Sequence, residues 1–121
     1  MGKKKLQRTA KKLHLGDLRA HVLVCTAGKC AAKADQERAA SKLKKRLNAR
    51  GLVGREGGVM CSTVGCLHVC AGGPIAVVWP DGTWYRDATA ENLDRILEQH
   101  ILGGKVVKEL RIAGPSKASA R

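Results

Sequence analysis

Gly65-Cys66-Leu67-His68-Val69-Cys70-Ala71-Gly72-Gly73-Pro74 decides how the rest of the 121-residue chain is read. Two thiols stand there with three residues between them, in a stretch rich in glycine. Upstream, Cys25-Thr26-Ala27-Gly28-Lys29-Cys30 supplies a second pair with four residues between. Two such pairs can close a tetrahedral sulfur site, which suits zinc or an iron–sulfur cluster. Both spacings fall within the range of zinc ribbons, so spacing alone leaves the two metals open. No C-x-x-C is present, which disfavours a dithiol oxidoreductase.

Outward from these pairs, the chain alternates between short apolar runs and helical patterns. His21-Val22-Leu23-Val24 predicts a buried first strand that delivers Cys25 at its end. Gly28 allows the tight loop that returns Cys30 beside Cys25. From Ala31 to Arg50, Ala32, Ala39, Ala40, Leu43 and Leu47 form a narrow apolar stripe at helical spacing. Lys42, Lys44, Lys45, Arg46 and Arg50 cover the rest of that helix, and Gly51 is placed to end it. Val59 to Val64 predicts a second strand. Ile75 to Trp79 and Thr83 to Tyr85 predict two antiparallel strands joined by the turn Pro80-Asp81-Gly82. Thr89 is a good N-cap for a final helix carrying Leu93, Ile96, Leu97 and Ile101, stopped at Gly103-Gly104. The expected class is α+β, with a central mixed four-stranded sheet and two main helices.

Composition sets the surroundings. Lys and Arg outnumber Asp and Glu by 23 to 10, a formal net charge of +13, so an acidic partner is expected. Nucleic acid, an anionic membrane surface and an acidic protein face all fit that balance. With Phe absent and only two Trp and one Tyr, the core must be aliphatic. No apolar run reaches the ~20 residues of a membrane span. The basic N-terminus lacks the apolar segment of a secretory signal. A reducing cytoplasm is therefore expected, where the five cysteines suit ligands or catalytic thiols better than disulfides. The odd count points the same way. Residues 1–20 read as a basic disordered tail, 21–112 as one domain, and 113–121 as a second disordered tail.

A four-thiolate centre needs loops whose backbones come close, and both glycine-flanked pairs meet that need. Reduction of an iron–sulfur cluster adds negative charge, which nearby cations and N–H groups stabilise. Lys29 and His68 lie inside the ligand loops and are candidates for that role. The helix beginning near Ala31 adds its positive dipole end close to Cys30. If a metal bridge acts like a covalent one, joining Cys30 to Cys66 adds about 3–4 kcal/mol by loop closure.

From His21 to Leu110 the chain resembles the thioredoxin-like [2Fe-2S] ferredoxins, a family that includes the 24 kDa-type subunit of NADH dehydrogenase and related hydrogenase domains. The residues that carry the likeness are Val22-Leu23-Val24-Cys25-Thr26, Gly28 and Cys30, then Gly65-Cys66-Leu67-His68-Val69-Cys70 with Gly73-Pro74. Pro80-Asp81-Gly82-Thr83-Trp84-Tyr85 and the closing Ile96-to-Gly104 helix add to it. The resemblance implies a thioredoxin-like fold and one [2Fe-2S] cluster on Cys25, Cys30, Cys66 and Cys70. It implies one-electron transfer, often from a homodimer, and no enzymatic activity. His68 departs from the family's usual glycine at that position, and the basic surface departs from the acidic one of many soluble ferredoxins.

The remaining candidates are weaker. Cys61 reads as a small buried strand residue. Trp79, Trp84 and Tyr85 read as cover for the hairpin. His14, His21 and His100 lie far apart and suggest no site. The favoured function is a small electron carrier that meets a redox partner through an acidic docking face. The alternative is a basic nucleic-acid-associated protein with a structural or redox-sensing iron–sulfur or zinc site. No helix-turn-helix, RNP or KH signature supports the alternative.

Overall fold

The computed structural model describes residues 2–69 and 71–118. The strands are β1 (Ala20–Cys25), β2 (Val59–Val64), β3 (Ala76–Trp79), β4 (Thr83–Tyr85) and β5 (Arg111–Ala113). The helices are α1 (Lys3–Lys12), α2 (Lys33–Ala49) and α3 (Ala90–Ile96), and α3 continues as a π-helical segment, Leu97–Leu102. Among these residues no helix is long and apolar enough to cross a membrane.

The sheet is mixed, in the order β2-β1-β3-β4-β5. β1 lies at the centre of the thiol-bearing half. It pairs in parallel with β2, from Ala20 opposite Val59 to Cys25 opposite Val64. On its other side it pairs antiparallel with β3, Val24 opposite Ala76. Cys25 therefore leaves the sheet at the end where β2 finishes and β3 begins. Both cysteine stretches are loops at that one end.

The α2 stripe packs as its spacing requires except at Ala32, which is exposed and stands at the N-cap, before the first helical turn. Ala39, Ala40, Leu43 and Leu47 are buried with Val22, Val24 and Val59 in one aliphatic core. Leu93, Ile96, Leu97, Ile101, Val106 and Val107 belong to the same core. The basic face of α2 is partly consumed within the fold. Arg38 pairs with Glu91 at 3.5 Å, Arg46 with Glu98 at 3.8 Å, and Arg50 with the same Glu98. Such exposed pairs each contribute about 0–1 kcal/mol, but together they orient α2 against α3. Thr89 caps α3, its hydroxyl accepting from the Asn92 N–H at 3.2 Å.

Two features differ from the expected four-stranded sheet flanked by tails. The fifth strand, Arg111–Ala113, pairs antiparallel with β4 at the sheet edge. It is too short and too polar to show any two-residue periodicity. The N-terminal segment, read as a tail, carries α1. None of its residues is buried, and Lys11 and Lys12 lie in its last turn, where the helix dipole favours cations. At the other terminus, Ala118 packs against the main core.

Candidate metal centre

The two cysteine loops converge, and the chain's own hydrogen bonds bring them together. Past the end of β1, the Thr26 N–H and hydroxyl both donate to the Val64 carbonyl at 2.9 Å. The Cys25 thiol donates to the Gly65 carbonyl at 3.1 Å, beside Cys66. Cys25 and Cys30 are buried with Ile75 in a small apolar cluster separate from the main core. Ala27, Ala31, Leu67, Val69 and Trp84 pack around it. Leu67 and Val69 come from the second loop, so the apolar wall is shared by both.

The third side is the Gly72-Gly73-Pro74 turn. The Gly73 N–H donates to the Cys30 carbonyl at 3.0 Å. A Cβ at Gly73 would stand 2.4 Å from Cys30 Sγ, so only a bare backbone fits against this sulfur. The Asp87 and Ala88 N–H groups hold the Gly72 and Pro74 carbonyls at 2.8 Å, anchoring the turn to the segment after β4.

Several donors point at sulfur. The His68 backbone N–H reaches Cys66 Sγ at 3.2 Å. Gln36, fully buried on α2, directs its side-chain amide at Cys30 Sγ (3.0 Å) and Cys25 Sγ (3.8 Å). Burial pushes the Cys25 thiol upward, but backbone N–H groups near Ala27 and Leu67 and the Cys30 thiol outweigh it and hold Cys25 below the usual thiol range. By contrast, burial pushes the Cys61 thiol up to about 11. Cys61 sits in β2 opposite Val22, away from the loops. A low thiol pKa favours the thiolate that a metal needs, and a raised one makes Cys61 inert.

Of the residues singled out in the sequence, Cys25, Cys30 and Cys66 stand in loops at the same end of the sheet, with the Cys25 thiol on the carbonyl of Gly65. Cys70 lies outside the described residues. Among the described residues no three His, Cys, Asp or Glu side chains form a metal-binding group by themselves. The donor set nevertheless suits a thiolate-held cluster: buried sulfurs, N–H groups aimed at them, and a cradle that a single methyl group would fill. Lys29 and His68 are exposed at the rim. His68 serves through its backbone rather than its ring, and it holds φ at 67°. That left-handed conformation costs a residue with a Cβ about 1–2 kcal/mol, which explains why glycine suits the position. His68→Gly is expected to raise unfolding stability by about 0.5–1 kcal/mol, since glycine's greater freedom when unfolded offsets part of the relief. Denaturant unfolding of the loaded protein checks this, with an unchanged visible spectrum excluding the imidazole as a ligand.

Two residues were missed. Gln36 stands on the apolar stripe of α2, four residues after Ala32 and three before Ala39. A polar residue on a buried stripe is the signal that could have found it. His100 also proves to be buried, joined to Asp81 and Tyr85. Its Nε2 lies 2.6 Å from Asp81 Oδ2 and its Nδ1 lies 2.7 Å from the Tyr85 hydroxyl. Tyr85 in turn accepts from the Val107 N–H at 3.0 Å. This chain stitches the hairpin turn, β4, the π segment and the irregular segment before β5. No local pattern in the sequence connects these four places.

The chain resembles known proteins in sequence and in fold. The family described as thioredoxin-like [2Fe-2S] ferredoxin matches residues 15–100. A 2Fe-2S ferredoxin of Clostridium pasteurianum is 37% identical over 100 residues, covering 76% of this chain and 94% of that protein. A 2Fe-2S ferredoxin of Aquifex aeolicus is 45% identical over 49 residues, covering 40% of this chain and 44% of that one. The solved structure of a thioredoxin-like [2Fe-2S] ferredoxin from Aquifex aeolicus superimposes with a TM-score of 0.70 at 25% identity. That match spans 83% of this chain and 96% of the other. The chain thus belongs to the thioredoxin-like [2Fe-2S] ferredoxins, carrying a [2Fe-2S] cluster as an electron carrier for a redox partner and not as an enzyme.

Proposed function

We propose that Cys25, Cys30, Cys66 and Cys70 hold the cluster, and that electrons pass through the rim formed by residues 65–73. The observation that carries this reading is the Cys25 thiol bonded to the Gly65 carbonyl, which joins the two loops end to end. Cys70 is assigned from its spacing to Cys66 in the sequence. When bound, the cluster accepts and releases one electron.

The chain's own residues divide the work by depth. Cys25 and Cys30 are buried, walled from water by Ile75, Leu67 and Val69. Cys66 is only half-buried, and Gly65, His68, Ala71 and Gly72 are exposed. Electron exchange is therefore shortest through the second loop. Lys29 and Lys33 are exposed beside the first loop and add positive charge to the same end. With a net charge of +13, that end suits an acidic docking face on a cytoplasmic redox partner. The nucleic-acid alternative gains little. Arg38, Arg46 and Arg50 of α2 are engaged with Glu91 and Glu98, which reduces the cationic face it would need.

Single serine substitutions test the ligand set. In Cys30→Ser, Cys66→Ser and Cys70→Ser the visible spectrum should be altered or lost, with iron and acid-labile sulfide falling together. Cys61→Ser should keep the wild-type spectrum. A bleached Cys61→Ser, or an unaltered spectrum in Cys30→Ser or Cys66→Ser, would overturn the assignment.

A further inference from the structure

We propose that Gln36 positions the Cys25–Cys30 loop and stabilises the reduced centre by donating its side-chain N–H groups to the two sulfurs. The proposal rests on the reading of Cys25 and Cys30 as ligands.

The starting observation is an amide where an aliphatic residue belongs. Gln36 is completely shielded from solvent, in line with Ala39, Ala40, Leu43 and Leu47 along α2. Burying an amide without partners costs about 1–3 kcal/mol in proteins, so its contacts must repay that. Both ends of the side chain are engaged. The Gly28 backbone N–H donates to Gln36 Oε1 at 2.7 Å. Because a backbone N–H can only donate, this bond fixes which end of the amide is oxygen. The nitrogen then faces the sulfurs, 3.0 Å from Cys30 and 3.8 Å from Cys25.

The geometry has two consequences. The Oε1 bond clamps Gly28, at the middle of the loop between Cys25 and Cys30, where φ is 79°. The Nε2 bonds place partial positive charge against the buried sulfurs. Reduction adds negative charge to the centre, part of it carried by the sulfurs, so the N–H groups favour the reduced form more than the oxidised one. In a water-excluded site that difference is enlarged. Lys29 and His68 present their side chains to solvent and are screened. Gln36 is thus the side chain placed to set the potential from the buried flank.

The test uses the full-length, cluster-loaded protein. Gln36→Leu and Gln36→Met keep comparable bulk and remove the N–H groups. Redox titration followed by visible absorption should show both variants harder to reduce. A shift of up to tenfold in the equilibrium constant is expected, or about 59 mV for a one-electron couple. Iron and sulfide content should match the wild type. Equal potentials with intact loading would overturn the proposal while leaving the ligand assignment standing. Failure of the ligand assignment shows separately, as an unaltered spectrum in Cys30→Ser. A measurement on the wild type covers the case in which neither variant loads. Protein labelled with nitrogen-15 in the glutamine side chains, reduced and examined by pulsed electron paramagnetic resonance, should show coupling to a side-chain amide nitrogen. Gln7 and Gln99, the other glutamines, lie outside the sulfur cluster. Absence of that coupling would overturn the proposal.

Discussion

Gly73→Ala is expected to yield a protein that loses most of its iron and sulfide and unfolds more easily by about 3 kcal/mol or more. The added methyl would stand 2.4 Å from Cys30 Sγ, 2.8 Å from its Cβ and 2.9 Å from its carbonyl oxygen. Two of these atoms, the Cβ and the carbonyl oxygen, cannot be moved by turning the side chain. The carbonyl is fixed by the Gly73 N–H, and the sulfur is held by Gln36. The turn cannot easily retreat, because Asp87 and Ala88 hold its carbonyls from the other side. Relief requires the turn and the Cys30 loop to part, which moves the ligand proposed above away from its partners. Metal and sulfide analysis with a thermal melt checks the outcome. Wild-type loading and an unchanged midpoint in the alanine variant would mean that Cys30 does not sit against this turn.

Tyr85→Phe removes one oxygen and should lower stability by about 2–4 kcal/mol, a large effect for so small a change. The hydroxyl accepts from the Val107 N–H and bonds His100 Nδ1, both in the buried interior. Its loss leaves the Val107 N–H and His100 Nδ1 without their partner in the buried interior. His100 Nε2 in turn bonds Asp81 Oδ2, so the hydroxyl is one link of a longer buried chain. Denaturant unfolding should show the loss. An effect under about 0.5 kcal/mol, the range of an ordinary surface change, would contradict the network.

The same residue predicts a pH signature. Burial, more than any other influence, pushes the Tyr85 hydroxyl from 10.0 up to about 12. Over that window the folded protein keeps a proton that the unfolded chain releases. The stability linked to Tyr85 is therefore whole below pH 10 and declines as pH rises towards 12. Tyr85→Phe should lose that part of the alkaline decline. Cys61, pushed from 9.0 to about 11, declines with the same sign from lower pH, so a Cys61→Ser background isolates the tyrosine.

How much of this could be read from residues alone depends on the range over which each signal acts. β2 and β4 were placed residue for residue, because Val59–Val64 and Thr83–Tyr85 are bounded by glycine and proline signals within a few positions. The loop character of the cysteine stretches was legible for the same reason, because their glycines are local signals, and the family likeness supplied the cofactor that spacing left open. β5 was not visible, since three residues, Arg111–Ala113, gain their strand character only from pairing with β4. The Tyr85–His100–Asp81 chain was equally hidden. It depends on tertiary packing that brings a turn and a π segment together, and histidines judged by sequence separation gave no hint. Gln36 lay between these extremes. Its position on the stripe was readable, but the partner that justifies it, Cys30, becomes evident only once the loop is folded.

The two separate apolar clusters have a bearing on how the protein matures. The larger one spans β1, α2, α3 and the irregular segment before β5 without using either cysteine loop, whereas the smaller holds only Cys25, Cys30, Ile75 and their neighbours. Most of the burial that drives collapse is therefore available before iron arrives. Assembly can proceed in sequence, with the polypeptide first presenting an organised receptacle and the inorganic sulfide and iron arriving afterwards at its rim.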